Sequence, residues 1–136
     1  MDEAPGMDER PGVIDVEVLD ELERSVGDDR QFVRELVETY LDDTPKLIAN
    51  IRSGIADGDV ERTNRAAHTL KSNSASVGAM GLSAMARELE TMTSMATTVA
   101  DDIAEPEVGT LADVISAEFE EVRDELNRLV PGPEEA

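Results

Sequence analysis

The sequence predicts an all-α protein: an antiparallel up-down four-helix bundle with a short additional N-terminal helix capping one end. Three observations predict it. Apolar residues recur at three- and four-residue spacings along most of the chain, with no alternating strand pattern and no internal repeat. Phe32, Tyr40 and Phe119 are the only aromatic residues, so the core has to come from Leu, Ile, Val, Met and Ala, side chains that suit packed helices better than sheets. Four long amphipathic segments follow one another with short connections, which makes sequential helices antiparallel neighbours.

At 136 residues the chain is long enough for one domain with one modest core. Residues 1–12, acidic and containing Pro5, Gly6, Pro11 and Gly12, read as a disordered arm. The domain is expected over 13–130, and 131–136 (PGPEEA) read as a disordered tail. A first helix is expected over Val13–Val26, with Val18, Leu19 and Leu22 inward and Gly27 as its stop. A long second helix should start near Asp28 or Asp29 and reach about Ile55. Its expected inward positions are Phe32, Val33, Leu36, Val37, Tyr40, Leu41, Leu47, Ile48, Ile51 and Ile55. Pro45 cannot donate to the carbonyl of Leu41, so a kink rather than a break is expected there.

Asp59 is a good N-cap for a third helix, about Val60–Val77, whose residues Val60, Thr63, Ala67, Leu70, Ser74 and Val77 form a narrow coiled-coil-like seam. Gly78 and Gly81 should flank a short turn. A fourth helix, Leu82–Ala96, would bury Leu82, Met85, Ala86, Leu89 and Met92. TTVADDIAEPEVG reads as a polar connection, and a fifth helix, Val108–Leu129, would pack Leu111, Val114, Ile115, Phe119, Val122, Leu126 and Leu129.

Composition excludes much. Without cysteine there are no disulfides, thiolate metal sites or cysteine nucleophiles, and a single histidine, His68, excludes multi-histidine metal sites. Arg65 stands three residues before His68, so the Glu-x-x-His ligand spacing of di-iron bundles fails, and no metal or cofactor is expected. A formal charge of −20 would repel nucleic acid. The absence of a long apolar run and of signal-peptide character points to a soluble cytoplasmic protein away from membranes. Twelve basic residues, only two of them lysine, against 32 acidic ones suit either a salt-rich cytoplasm or a high-GC genome.

One stretch departs from this acidity. From Arg62 to Arg87 there are 26 consecutive residues without a carboxylate, where the average for the chain would place about six. His68 lies inside the run with Arg62, Arg65, Lys71 and Arg87. On a helical wheel of about 100° per residue, His68 points roughly 125° away from the seam, toward solvent, with Ser72 on the same outer face and Lys71 toward the side. An exposed neutral imidazole is a competent nucleophile near pH 7, and cations beside it can offset the roughly two negative charges of a phosphoryl group. The small Ser72 leaves the ring accessible.

AAHTLKSNSASVGA closely resembles the signature of histidine-phosphotransfer (HPt) domains, A-H-x-L-K followed by Gly or Ser, five residues and G-A. DDRQFVRELVETYLDDTPKLIANIRSGIADGD is similar to the long helix preceding that signature, including its DTP, and LSAMARELE to the helix after it. The resemblance covers about Val13–Glu90, with the last helix matching by pattern only. It implies that His68 is the phosphoryl acceptor and donor through the ring nitrogen farther from the backbone. It also implies that Lys71 steadies the phosphoryl group and that Ser72, where the family more often has Gly, is the small residue giving access. Gly78 would form the turn between the two central helices.

The implied partners are receiver domains of response regulators or hybrid histidine kinases, which supply Mg²⁺ themselves. The chain would be a monomeric phosphocarrier, not an enzyme with its own ATP site, and no phosphate-binding glycine loop is present. Asn64, Arg65, Ala75 and Gly78 are the candidate partner-binding residues. Phe32 and Tyr40 read as core. Two other readings fit the same residues: a non-phosphorylated adaptor that binds a receiver, and the phosphorylatable input domain of a chemotaxis-type kinase cut from a longer chain. Met1 and the polar ends favour a free-standing protein or a terminal module.

Overall fold

The computed structural model describes residues 13–94 and 106–131, and within them every regular element is a helix. The helices are α1 (Val16–Ser25), α2 (Arg30–Asp57), α3 (Val60–Ser76), α4 (Met80–Ser94) and α5 (Pro106–Leu129). The arm 1–12, the residues 95–105 between α4 and α5, and most of the tail lie outside the described residues.

Aspartates start the first three helices. The side chains of Asp15, Asp29 and Asp59 accept the otherwise orphaned amides of Glu17, Phe32 and Arg62. Gly58 ends α2 in a left-handed conformation, its amide returning to Gly54 and Ile55 carbonyls. α2 runs unbroken through Pro45. α4 begins two residues earlier than expected, at Met80, so Gly81 lies in its first turn and not beside the connection. α5 likewise starts at Pro106, which places 106–109 in helix and not in the polar connection.

α3 packs on α4 and on α2, and α5 closes the ring by packing on α4 and α2, so α3 and α5 are diagonal. Side-chain bonds fix the antiparallel sense. Tyr40 bonds Ser74 near the start of α2, whereas Gly54 meets Thr63 near its end. Arg34 reaches Asn127 and Arg52 reaches Asp113 in the same manner between α2 and α5.

The main buried seam advances by steps of three or four residues on each helix. Its residues are Val33, Val37, Tyr40, Thr44, Ile48 and Ile51 on α2, Thr63, Ala67, Leu70 and Ser74 on α3, Leu82, Ala86, Leu89 and Thr93 on α4, and Val108, Ala112, Ile115, Phe119, Val122 and Leu126 on α5. This single seam explains two corrections. Phe32 and Val114 were expected inward, yet each precedes a seam residue by one position, which turns it about 100° out of the seam. They are 41% and 42% exposed. Met85, Met92, Leu36, Leu41, Leu47 and Ile55 flank the seam and are half-buried.

Among the described residues Tyr40 is the one bulky polar group within the core. Its hydroxyl pairs with Ser74 Oγ at 2.9 Å, its ring meets Phe119 edge-on, and burial pushes its phenol up to about 12 despite the Ser74 bond. At the far end of α2, a Cβ on Gly54 would lie 2.3 Å from Thr63 Oγ1, so the helices approach there at a distance only glycine permits.

Candidate functional site

His68 stands midway along α3 with its side chain 58% exposed. The sequence around it dictates this: Ala67 and Leu70 take the inward directions and are fully buried, which leaves position 68 on the outer flank. Ser72, one turn later, is also exposed, and its neighbour Lys71 is half-buried.

The carboxylate that the linear sequence keeps away from this histidine arrives from the neighbouring helix. Glu90 of α4 places Oε2 2.7 Å from His68 Nδ1 and Oε1 2.8 Å from Lys71 Nζ. Both of its oxygens are thus engaged by α3. The Lys71 ammonium, and after it the His68 ring, hold the Glu90 carboxyl below the usual carboxylate range. An ionised carboxylate only accepts hydrogen bonds, so Nδ1 carries the proton and donates it. The lone pair of the neutral ring then resides on Nε2, for which no partner exists among the described residues.

Two further bonds fix where Glu90 sits. Ser83 Oγ donates to the Lys71 carbonyl at 2.9 Å, and Asn64 Nδ2 donates to the Glu90 carbonyl at 2.9 Å, with Thr93 Oγ1 and Ser94 Oγ at the same distance. Residues 83 and 90 of α4 therefore lie opposite 71 and 64 of α3. The register is set by the turn between the helices. Gly78, at φ +84°, allows the Ala79 amide to return to the Ser74 carbonyl at 2.9 Å, and Asp15 straps the turn by donating its amide to Gly78 O at 2.7 Å.

The structure thus brings together His68, Lys71 and Ser72 and disperses the other candidates. Asn64 is half-buried, and its amide is spent on α4. Gly78 is buried under the Asp15 backbone, which removes it from any exposed docking face and leaves it the turn. Arg65 is exposed, reaching Glu61 at 3.8 Å, and Ala75 is half-buried. Arg62 folds back to Asp57 at 2.7 Å. Glu90 is the residue that sequence reasoning missed. Counting equal distances outward from the Gly78 turn would have placed it close to Asn64, one helical turn from His68.

The Glu90 bridge makes a pH prediction. A carboxylate whose folded pKa is depressed adds stability that is present above its unfolded value, about 4.3, and lost as pH falls through the folded value. The difference in melting temperature between the native chain and Glu90→Gln should accordingly be present at neutrality and close as pH drops below about 4. Measuring the difference cancels the general relief of acidic repulsion. A gap that persists undiminished through the carboxylate range would contradict the bridge.

Among the described residues no group of three or more His, Cys, Asp or Glu could hold a metal ion, and no helix is long and apolar enough to cross a membrane. A search of curated proteins finds no match to the sequence. Among solved structures, histidine-containing phosphotransfer protein B (HptB) from Pseudomonas aeruginosa PAO1 is similar at a TM-score of 0.71 and 23% identity, over 85% of this chain and 91% of that one. The HPT domain of an Hpt sensor hybrid histidine kinase from Shewanella is similar at 0.60 and 22% identity, over 84% and 97%. Both likenesses concern the fold. The family model of the Hpt domain matches residues 35–130, from α2 to the end of the bundle and including the whole His68 site, and the chain belongs to the Hpt domain family.

Proposed function

We propose that the protein is a histidine phosphocarrier in a two-component phosphorelay, exchanging a phosphoryl group between His68 Nε2 and the aspartate of receiver domains. The observation that carries this reading is the Glu90 bond to Nδ1, which leaves the Nε2 lone pair unpartnered among the described residues on a side chain that is more than half exposed. In the forward step the lone pair attacks the phosphorus of a receiver's aspartyl phosphate. The P–N bond forms as the acyl P–O bond breaks, and the electron pair leaves on the receiver carboxylate. The ring becomes cationic with its proton still on Nδ1, and the Glu90 carboxylate stabilises that charge as it develops. Lys71 offers its ammonium to the phosphoryl oxygens, and Ser72 keeps the approach open.

Transfer in the reverse direction follows the same path. The chain supplies no ATP chemistry of its own. The partner's Mg²⁺ neutralises the group in flight, as phosphoryl transfer requires. On this reading the protein works as a single bundle in the cytoplasm, docking receivers through the exposed flank around His68, Ser72, Arg65 and Ala75.

The test is to incubate the full chain with receiver domains of the same genome, phosphorylated by radiolabelled acetyl phosphate and Mg²⁺. Label that moves to this protein and is acid-labile but alkali-stable supports a phosphohistidine. Binding without transfer to any cognate receiver supports an adaptor instead. The Glu90 contribution separates in the same assay. Glu90→Ala should slow acceptance about tenfold or more, because the ring loses the contact that orients it. Glu90→Gln keeps an acceptor for Nδ1–H and should stay within roughly threefold of the native rate. Equal rates for all three proteins would show that the bridge does not orient the nucleophile.

A further inference from the structure

We infer that Arg87, on α4, is the cation that meets the phosphoryl group on His68 from across the helix pair. The inference rests on the phosphocarrier reading and adds a residue to it.

A phosphoryl group brings about two negative charges to Nε2. The four basic residues of the acid-free run differ in what they have left to offer. Arg62 is tied to Asp57 at 2.7 Å, with its Nε buried, and Lys71 is held by Glu90 at 2.8 Å. Glu90 offsets Lys71 in net charge, so the Lys71 ammonium, while it can donate to the phosphoryl oxygens, leaves most of their charge uncompensated. Arg65 reaches Glu61 on its own helix. Arg87 is exposed and has no carboxylate partner among the described residues.

Its position follows from the register. Ser83 lies opposite Lys71, and the Glu90 backbone lies opposite Asn64. Arg87 falls between them, level with His68. It is four residues after Ser83 and three before Glu90, so all three emerge on one flank of α4. Glu90 occupies the inner part of that flank and takes Nδ1. Arg87 lies about 60° farther out, on the same outer flank of the helix pair as the exposed His68 side chain. Its guanidinium, whose planar fork matches phosphoryl oxygens, is thereby placed to meet a group carried on Nε2.

The experiment uses phosphoramidate, a small donor that needs no receiver: the Nε2–P bond forms as the donor's P–N bond breaks and ammonia leaves. Native protein, Arg87→Gln, Arg87→Lys and Arg123→Gln are compared at low salt, with unfolding curves confirming the fold. Arg123, on the diagonal helix α5, controls for net charge. Arg87→Gln should slow phosphorylation of His68 about three- to fivefold, Arg87→Lys should restore most of the rate, and Arg123→Gln should match the native chain. The deficit should shrink in 1 M salt.

A native rate for Arg87→Gln overturns the inference, as does a loss seen only with a receiver as donor, which would make Arg87 a docking residue. Native protein that takes no label on His68 from phosphoramidate or any receiver overturns the phosphocarrier reading itself.

Discussion

His68→Gln should accept no phosphoryl group from any phosphorylated receiver, while its helical content and melting curve stay close to those of the native chain. The expectation is sharp because the side chain does little structural work. It is exposed, and its single hydrogen bond, to Glu90, can be replaced by the glutamine amide. Lys71 still satisfies the other oxygen of Glu90. Glutamine lacks a nucleophilic nitrogen, so the loss is complete and not a matter of degree. Radiolabel transfer and circular dichroism on the same sample check both halves. Retained labelling would move the acceptor elsewhere, and a collapsed fold would make His68 structural.

Gly78→Ala should cost about 2–3 kcal/mol, combining the strain of a left-handed alanine with a damaged strap hydrogen bond. Gly78 has φ +84°, and a Cβ there would stand 2.6 Å from the Asp15 carbonyl oxygen. The obstacle is backbone, which cannot swing aside as a side chain would. A drop in melting temperature on the order of 10 °C follows for a domain of this size. Gly27→Ala is the internal control. Gly27 also has positive φ, +72°, but nothing lies within 4 Å of its missing Cβ, so it should lose only the conformational part, about 1–2 kcal/mol. Equal losses in the two variants would show that the Asp15 strap contributes nothing. Because this turn sets the α3–α4 register, Gly78→Ala should also weaken the hold of Glu90 on His68.

Much of the bundle is readable from residue spacing. The starts at Asp29 and Asp59, the stop at Gly27 and the seam through Thr63, Ala67, Leu70 and Ser74 are local features, set by backbone conformation and a repeating apolar pattern, whereas α1 was expected from Val13 and begins at Val16 behind the Asp15 cap. Phe32 and Val114 show the limit of that approach. Hydrophobicity alone counts them as core, whereas a 3-4 seam admits only one direction per turn and leaves them outside.

At the site, the outward direction of His68 is legible for the same reason. Its electrostatics are not. Twenty-six residues without a carboxylate read as a positive face, yet Glu90, three residues past the end of that run, folds back across α4 onto both His68 and Lys71. A linear window averages charge along one helix, while the field at an imidazole is set by whatever the adjacent helix brings within a few ångströms. Asn64 shows the same effect in reverse. Its polar head looks available in sequence and is consumed by α4 in the fold.

The central claim is that Glu90 holds the His68 proton on Nδ1, so that the phosphoryl group is carried on Nε2. Nitrogen-15 NMR of histidine-labelled full-length protein, before and after phosphorylation, tests it most directly. For the neutral ring of the starting protein the account predicts a protonated Nδ1 and an unprotonated Nε2, and in the product it predicts phosphorus coupled to Nε2. Phosphorus on Nδ1, or a neutral starting ring with its proton on Nε2, would contradict it.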